Sequence, residues 1–304
     1  MKYIVTGGCG FIGSNLVEQI LKHCTEGDEI IVLDNHFTGY RRNREYLETF
    51  AKSFWAKLYF MDIDIREDLT KYEDLMEADV IFHLAALARI QPSFKRPVMT
   101  LDVNAQGTAQ IMELARQSGA RVAYAGSSSF YFDPYCNPYA FSKWIGEEYC
   151  KMYAQVYDVN VGIARFFNVY GARQVQSGEN AAVLGIFEDQ KMRGVPLTVT
   201  GTGEQRRDFT HVEDIASGLR AIVDADNCWR GEIFNLGRGN NYSINEVAEM
   251  FEPVSVEHIA ARPGEAVDTL ADISFSKEML GWEPKKDLPD YVAYFVKEQL
   301  RKTT

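Results

Sequence analysis

Basic residues are scarce in this 304-residue chain: 32 Lys and Arg stand against 43 Asp and Glu, a formal net charge of −11. A nucleic-acid partner needs a basic footprint and is excluded, whereas a small anionic ligand needs only a few local cations. Cysteine is also sparse. The five (Cys9, Cys24, Cys136, Cys150, Cys228) are odd in number, scattered and free of any CxxC pair. That argues against a disulfide framework or a zinc site and fits a reducing, cytoplasmic setting. No uninterrupted apolar run approaches the ~18 residues of a membrane span. The opening Lys2-Tyr3-Ile4-Val5 is strand-like and has neither the n-region nor the cleavage site of a signal peptide. Pro (9) and Gly (23) are ordinary and without period, which excludes a collagen-like or low-complexity chain.

What is present suits a packed fold. The chain is 46% hydrophobic, enough to offset the entropy of ordering, and its length allows one large domain or two interlocked ones. Short apolar runs (Tyr3–Thr6, Glu29–Asp34, Lys57–Met61, Val80–Leu84, Arg121–Ala125, Val161–Phe166) alternate with helical patterns such as Ile12–Lys22, Gly107–Ser118 and Tyr139–Tyr157. Strands that are apolar throughout, separated by helices, indicate a parallel sheet covered on both faces. The fold class expected is therefore α/β: a doubly wound, Rossmann-type parallel sheet with a smaller α/β C-terminal domain. The first domain is expected over 1–170, with 208–237 rejoining it through a strand at Ile233–Gly237; 171–207 and 238–304 form the second. In that part Ala181–Gly194, Val212–Ala225, Asn245–Phe251 (Ser243 as N-cap) and Tyr291–Lys302 read as helices, and Leu197–Thr200 as a strand.

The first run is followed by Thr6-Gly7-Gly8-Cys9-Gly10-Phe11-Ile12-Gly13, a GxxGxxG loop opening a helix. Gly7 and Gly10 let the backbone turn and approach a pyrophosphate, Gly13 allows close helix–sheet contact, and the helix N-terminus offers N–H donors to the phosphates. Asp34 ends the second strand where an acid binds an adenosine ribose diol, and its charge would repel a 2′-phosphate, favouring NAD over NADP. Nearby Arg41 and Arg42 point the other way. Asp64-Ile65 follows the third strand, placed for the adenine, with Asp62 as the alternative.

Tyr139-Ala140-Phe141-Ser142-Lys143 places a tyrosine and a lysine on one helix face. A phenol with pKa near 10 is a poor base at neutral pH, but a neighbouring ammonium and a nicotinamide cation favour the phenolate. Ser127-Ser128-Ser129 at the fifth strand's end supplies a hydroxyl for the substrate oxygen.

Together these residues resemble the extended short-chain dehydrogenase/reductase family, NAD-dependent nucleotide-sugar epimerases and dehydratases similar to UDP-glucose/UDP-galactose 4-epimerase. The resemblance runs on through His83-Leu84-Ala85-Ala86, Asp102-Val103-Asn104, Ala164–Gly171, Gly203–Phe209, Arg262-Pro263-Gly264-Glu265 and Leu280–Pro284. It implies NAD as cofactor, contacted by Gly7, Gly10, Phe11, Ile12, Gly13, Asp34, Asn35, Asp64, Ile65, Leu84, Ala85, Ala86, Asn104, Phe166, Tyr139 and Lys143. It implies Tyr139 as base, with Lys143 and Ser127 completing the catalytic set. A nucleotide sugar, UDP-linked, would meet Ser128, Ser129, Asn168 and Thr269, with Arg207 and Arg262 around its diphosphate. It also implies a homodimer through a four-helix bundle of Gln106–Ser118 and Tyr139–Tyr157, with no membrane partner.

Within such a family 4,6-dehydratases carry an Asp-Glu pair after the catalytic residue, and decarboxylases a Glu; here Ser128 and Ser129 stand there. No His accompanies Cys136 to make the acid–base pair of another epimerase type. What remains is 4-epimerisation through a 4-keto sugar. The alternatives are a 4,6-dehydratase or other modifier of a GDP- or CDP-linked sugar, and a non-catalytic NAD-binding module. Thr269 resembles the position where a bulky aromatic excludes N-acetyl groups, so room for UDP-N-acetylhexosamines is expected beside UDP-hexoses. The loop Phe130–Pro138 is shorter than usual, with Phe132 in place of a glycine.

Overall fold

The computed structural model describes residues 1–303, the side chains of Leu300, Lys302 and Thr303 apart. Its centre is a seven-stranded sheet of β1 (Lys2–Thr6), β2 (Glu29–Leu33), β3 (Lys57–Met61), β4 (Val80–His83), β5 (Arg121–Ser127), β6 (Val161–Phe166) and β7 (Arg230–Leu236). All pairs are parallel, in the order β3-β2-β1-β4-β5-β6-β7. The chain winds outward from β1 to β3 and restarts at β4, leaving a switch point at the carboxyl ends of β1 and β4, where such sheets bind ligands.

Alternate residues explain why the strands are apolar throughout. Val5, Val32, Phe82 and Ala123 pack against Leu16, Val17 and Ile20 of the helix Phe11–His23 and against Ile215 and Leu219 of the helix Val212–Asp224. Ile4, Ile31, Ile81 and Val122 face the other way, onto Ile111, Leu114, Cys150 and Ala154 of the helices Gly107–Ser118 and Pro138–Tyr157. A third cluster around Phe187, Val199, Phe209, Val247 and Phe251 forms the core of the later segments.

Several boundaries differ from expectation for local reasons. β5 runs on to Ser127 because Gly126 and Ser127 keep pairing with Arg165 and Phe166, which sets Ser127 at the carboxyl edge. The helix Gly107–Ser118 continues backward through a π-helical turn, Asp102–Gln106, into Pro97–Leu101. Ser243 does cap a helix, Ile244–Glu249, in a reciprocal capping box with Glu246. Arg41–Ala51 is a helix that buries only Asn43 and Leu47, too little apolar surface for its periodicity to show. No helix among the described residues is long and apolar enough to cross a membrane.

Candidate active site

The glycine loop is shaped by exclusion of side chains. Gly7 sits at φ +68°, and a Cβ on it would lie 2.9 Å from the backbone of Ala85; one on Gly13 would lie 2.2 Å from the Gly7 carbonyl oxygen. Gly7 N–H donates to Leu33 O (2.7 Å) and Gly10 N–H to Gly7 O (3.0 Å), folding the loop over the sheet edge. The following helix has Gly10 as its N-cap, with no side chain capping it, so its first amides are left for an anion. The Asp34 carboxylate accepts from Cys9 N–H (2.9 Å) and His36 N–H (2.8 Å), which fixes it in the cavity wall. Asp64 is held by Arg66 and Asn35, and the Arg66 guanidinium brings its carboxyl down to about 2. Arg41 and Arg42 are exposed, Arg42 stacking 4.7 Å from the Tyr40 ring centroid.

Ser127, Tyr139 and Lys143, the trio expected to be catalytic, converge one strand and one helix further on. Asn137 caps the helix Pro138–Tyr157 by accepting from Ala140 N–H (2.8 Å), with Pro138 at its first position. This sets Tyr139 and Lys143 facing Ser127 at the end of β5. Ser127 Oγ accepts from Ser129 Oγ (2.9 Å) and Ser129 N–H (3.2 Å), so its own proton is free to point at Tyr139 or at a substrate oxygen. Burial pushes the Tyr139 phenol up, while the Ser127 hydrogen bond and the Arg89 charge pull it back.

The Lys143 ammonium lies 4.6 Å over the Tyr124 ring, and burial brings it down to about 8, against the opposing pull of Glu147. Between that value and the ordinary 10.5 the unfolded chain binds more protons than the folded one, so stability rises with pH across that window. A Lys143→Met variant is expected to lack that rise. Urea titrations of both proteins at about pH 7.5 and 10 check it, and parallel changes in the two would refute it.

A single cavity of about 740 Å³ runs from the glycine loop to the C-terminal segments. It is lined by every expected site residue except one: Gly7, Gly10, Phe11, Ile12, Gly13, Asp34, Asn35, Asp64, Ile65, Leu84, Ala85, Ala86, Phe166, Ser127, Ser128, Ser129, Tyr139, Lys143, Asn168, Arg207, Arg262 and Thr269. The exception is Asn104. It is 1% exposed, and its amide accepts from Leu87 N–H (2.7 Å) and donates to Leu87 O (3.1 Å) and Ser142 Oγ (2.9 Å). It braces the loop after β4 against the helix Pro138–Tyr157 instead of lining the cavity. Behind it, Thr6 Oγ1 accepts from Leu84 and Ala85 N–H, so it donates to His83 Nδ1 (2.8 Å), and His83 Nε2–H donates to Thr108 Oγ1 (3.0 Å). Thr108 in turn donates to Asn104 O (2.6 Å), a neutral chain matching the low His83 pKa of about 3.

At the far end, the half-buried span Gly264–Ala266 lies over the cavity: Asn137 Nδ2 donates to Gly264 O (3.2 Å) and Gln91 Nε2 to Pro263 O (2.9 Å). The short Phe130–Pro138 loop thus docks against the C-terminal segment. Arg207 is 8% exposed and 4.0 Å from Glu265. Thr269 Oγ1 accepts from Asp208 N–H (3.2 Å). Sequence reasoning missed Arg89 and Asn137. Arg89 was marked by being the one cation in Leu84–Ile90, and Asn137 by its place before Pro138.

The model of the NAD dependent epimerase/dehydratase family matches residues 3–237. The chain belongs to that family. NAD is its cofactor, and the glycine cradle, the Asp34 carboxylate and the Tyr139–Lys143 pair all fit it. A putative UDP-glucose 4-epimerase of Methanocaldococcus jannaschii is 34% identical, over 94% of each chain. UDP-glucuronic acid decarboxylase 1 of Arabidopsis thaliana is 34% identical over 95% of this chain and 67% of its own. Among solved structures, a UDP-glucuronic acid 4-epimerase Y149F mutant from Bacillus cereus, in complex with UDP-4-deoxy-4-fluoro-glucuronic acid and NAD, has a TM-score of 0.87 at 27% identity. That match covers 99% of this chain and 100% of that one. A nucleotide-sugar-modifying enzyme is the common denominator.

Proposed function

We propose that the protein is a nucleotide-sugar 4-epimerase acting on a UDP-linked sugar. The observation that carries this reading is what surrounds Ser127, Tyr139 and Lys143. The acids lining the cavity are each engaged: Asp34 by backbone N–H groups, Asp64 by Arg66, Glu179 by Arg96 (2.9 Å) and Glu265 by Arg207. Ser128 and Ser129 stand where an eliminating acid and base would be needed, and burial pushes the Cys136 thiol up, away from general-acid duty. NAD, held by the glycine cradle and Asp34, would supply the hydride chemistry needed at C4 on either face of the sugar. Tyr139 takes the O4 proton while Ser127 holds O4, and Lys143 supports the phenolate by its charge. Returning the proton from Tyr139 to O4 closes the cycle without net redox. Arg207 and Arg262 flank the sugar's diphosphate, where guanidinium forks suit phosphate oxygens. Exposed Met152 and Val156 on the helix Pro138–Tyr157 support the pairing of two copies through a four-helix bundle of that helix and Gly107–Ser118.

Proton NMR of UDP-glucose, UDP-N-acetylglucosamine and GDP-mannose incubated with enzyme and no added cofactor tests this. A new anomeric signal with inverted C4 couplings is expected, and denaturation should release NAD. A 4-keto-6-deoxy product would replace epimerisation by dehydration, and no product with these sugars or with UDP-glucuronic acid, NAD remaining bound, would make the chain a non-catalytic module. Thr269 leaves room at the sugar's C2 side. A Thr269→Tyr variant is expected to lose UDP-N-acetylhexosamine turnover by more than tenfold relative to UDP-glucose, since an overfilled site cannot accept the acetyl group. Equal rates on both would refute that role.

A further inference from the structure

Arg89 is the one cavity arginine that the fold holds close to the catalytic tyrosine, and it has no acid of its own. It sits in extended backbone on the loop after β4, and its Nε donates to the Asn180 carbonyl across the cavity (2.6 Å). That bond holds the guanidinium in place and leaves both Nη groups without a hydrogen-bond partner among the described residues. Other inward-facing arginines are neutralised: Arg165 by Glu147 (2.5 Å) and Arg173 by Glu18 (2.7 Å). The nearest acid along the facing loop, Glu179, is already taken by Arg96 (2.9 Å) and Lys95 (3.7 Å). Among the described residues no carboxylate lies within ion-pair distance of Arg89. Burial lowers its pKa, and the groups whose charge it feels are the phenols of Tyr139 and Tyr40. A half-buried cation that faces the cavity without a counter-ion is ready to receive an anionic group of a ligand.

We infer that Arg89 is the counter-ion for a carboxylate at C6 of the sugar, so that the substrate is a nucleotide-linked uronate. The inference rests on the epimerase reading, which places O4 at Tyr139 Oη. C6 is carried by C5, the carbon next to C4, so in one of the two orientations that the sugar takes at Tyr139 its C6 group faces Arg89. The diphosphate has Arg207 and Arg262 at the other end of the sugar. A hexose would bring only a neutral hydroxymethyl group to a charge the fold leaves unmet, whereas a carboxylate accepts both free Nη groups as a fork. Room at Thr269 concerns C2 and is compatible with a uronate that also carries an N-acetyl group.

The test compares UDP-glucuronic acid with UDP-glucose on the purified wild type and on Arg89→Gln and Arg89→Lys variants, with product detected by NMR. Binding of each nucleotide is measured by calorimetry. Wild type is expected to prefer the uronate. Arg89→Gln should lower the ratio of kcat/KM on uronate to that on glucose by at least about 30-fold, the loss that follows from breaking a buried charged pair. Arg89→Lys should recover part of it, and calorimetry should show the same ranking without turnover. Retention of NAD and an unchanged melting curve identify a folded variant. Equal losses on both substrates would mean that Arg89 serves a phosphate common to both, and would overturn the inference. Epimerisation of UDP-glucose with no uronate turnover would overturn it too while leaving the epimerase reading intact. Uronate consumed to a product one carbon shorter would retain the carboxylate site and overturn the epimerase reading instead.

Discussion

A Tyr139→Phe variant loses on the order of 10²–10⁴ in kcat, the range of a positioned general base, while still carrying NAD. The ring stays, so the packing of the helix Pro138–Tyr157 against the sheet is kept, and only the hydroxyl facing Ser127 goes. Burial raises the free phenol, so deprotonation depends on cations brought close: Lys143, and the nicotinamide when the cofactor is bound. The loss should therefore fall on kcat far more than on KM, because in the proposed epimerase reaction the O4 proton moves only in the transition state. Steady-state kinetics with UDP-sugars, together with the NAD released on denaturation, measure both. A drop of less than about tenfold would place the base elsewhere.

The cofactor end was legible because its chemistry depends on backbone shape. Gly7, Gly10 and Gly13 are where a Cβ cannot go, and Asp34 follows at the end of the next strand, so spacing along the chain carries the information. The Tyr139–Lys143 pair was legible for the same reason, being local to one helix turn. That Asn104 lies behind the cavity wall could not be read from Asp102-Val103-Asn104, because its amide turns onto Leu87, a residue distant in sequence. Arg89 was overlooked because its meaning lies in what is missing around it. That Glu179 is spent on Arg96, and that Asn180 offers only a carbonyl, are facts of tertiary contact. The helix Arg41–Ala51 escaped periodicity for lack of apolar residues, and β5 outran its apolar run because pairing, not hydrophobicity, carries it to Ser127.

Removing the carboxylate of Glu147 should be the costliest single change to stability. Arg165 and Glu147 are 3% and 1% exposed and meet through Nε–Oε1 (3.0 Å) and Nη2–Oε2 (2.5 Å) bonds. Arg165 also lies 3.8 Å from the Phe130 ring centroid and 4.8 Å from that of Tyr131. These rings belong to the turn Ser128–Tyr131, which follows Ser127. A Glu147→Ala substitution strands the guanidinium in the interior, a cost of about 3–5 kcal/mol. For a chain of this size that corresponds to a fall in Tm of roughly 6–15 °C. Replacing both partners, Glu147→Met with Arg165→Met, removes the unpaired charge and should recover most of the loss, because well-packed apolar groups avoid the desolvation cost. Function gives a second readout. Glu147 stands one turn after Lys143 and holds its ammonium up against burial, so Glu147→Gln should shift the alkaline limb of the kcat profile to lower pH. Denaturant melts of the single and double variants separate the cases. If Glu147→Ala melts within about 1 kcal/mol of the wild type, water reaches the pair and the turn bearing the serines is held by something other than Arg165.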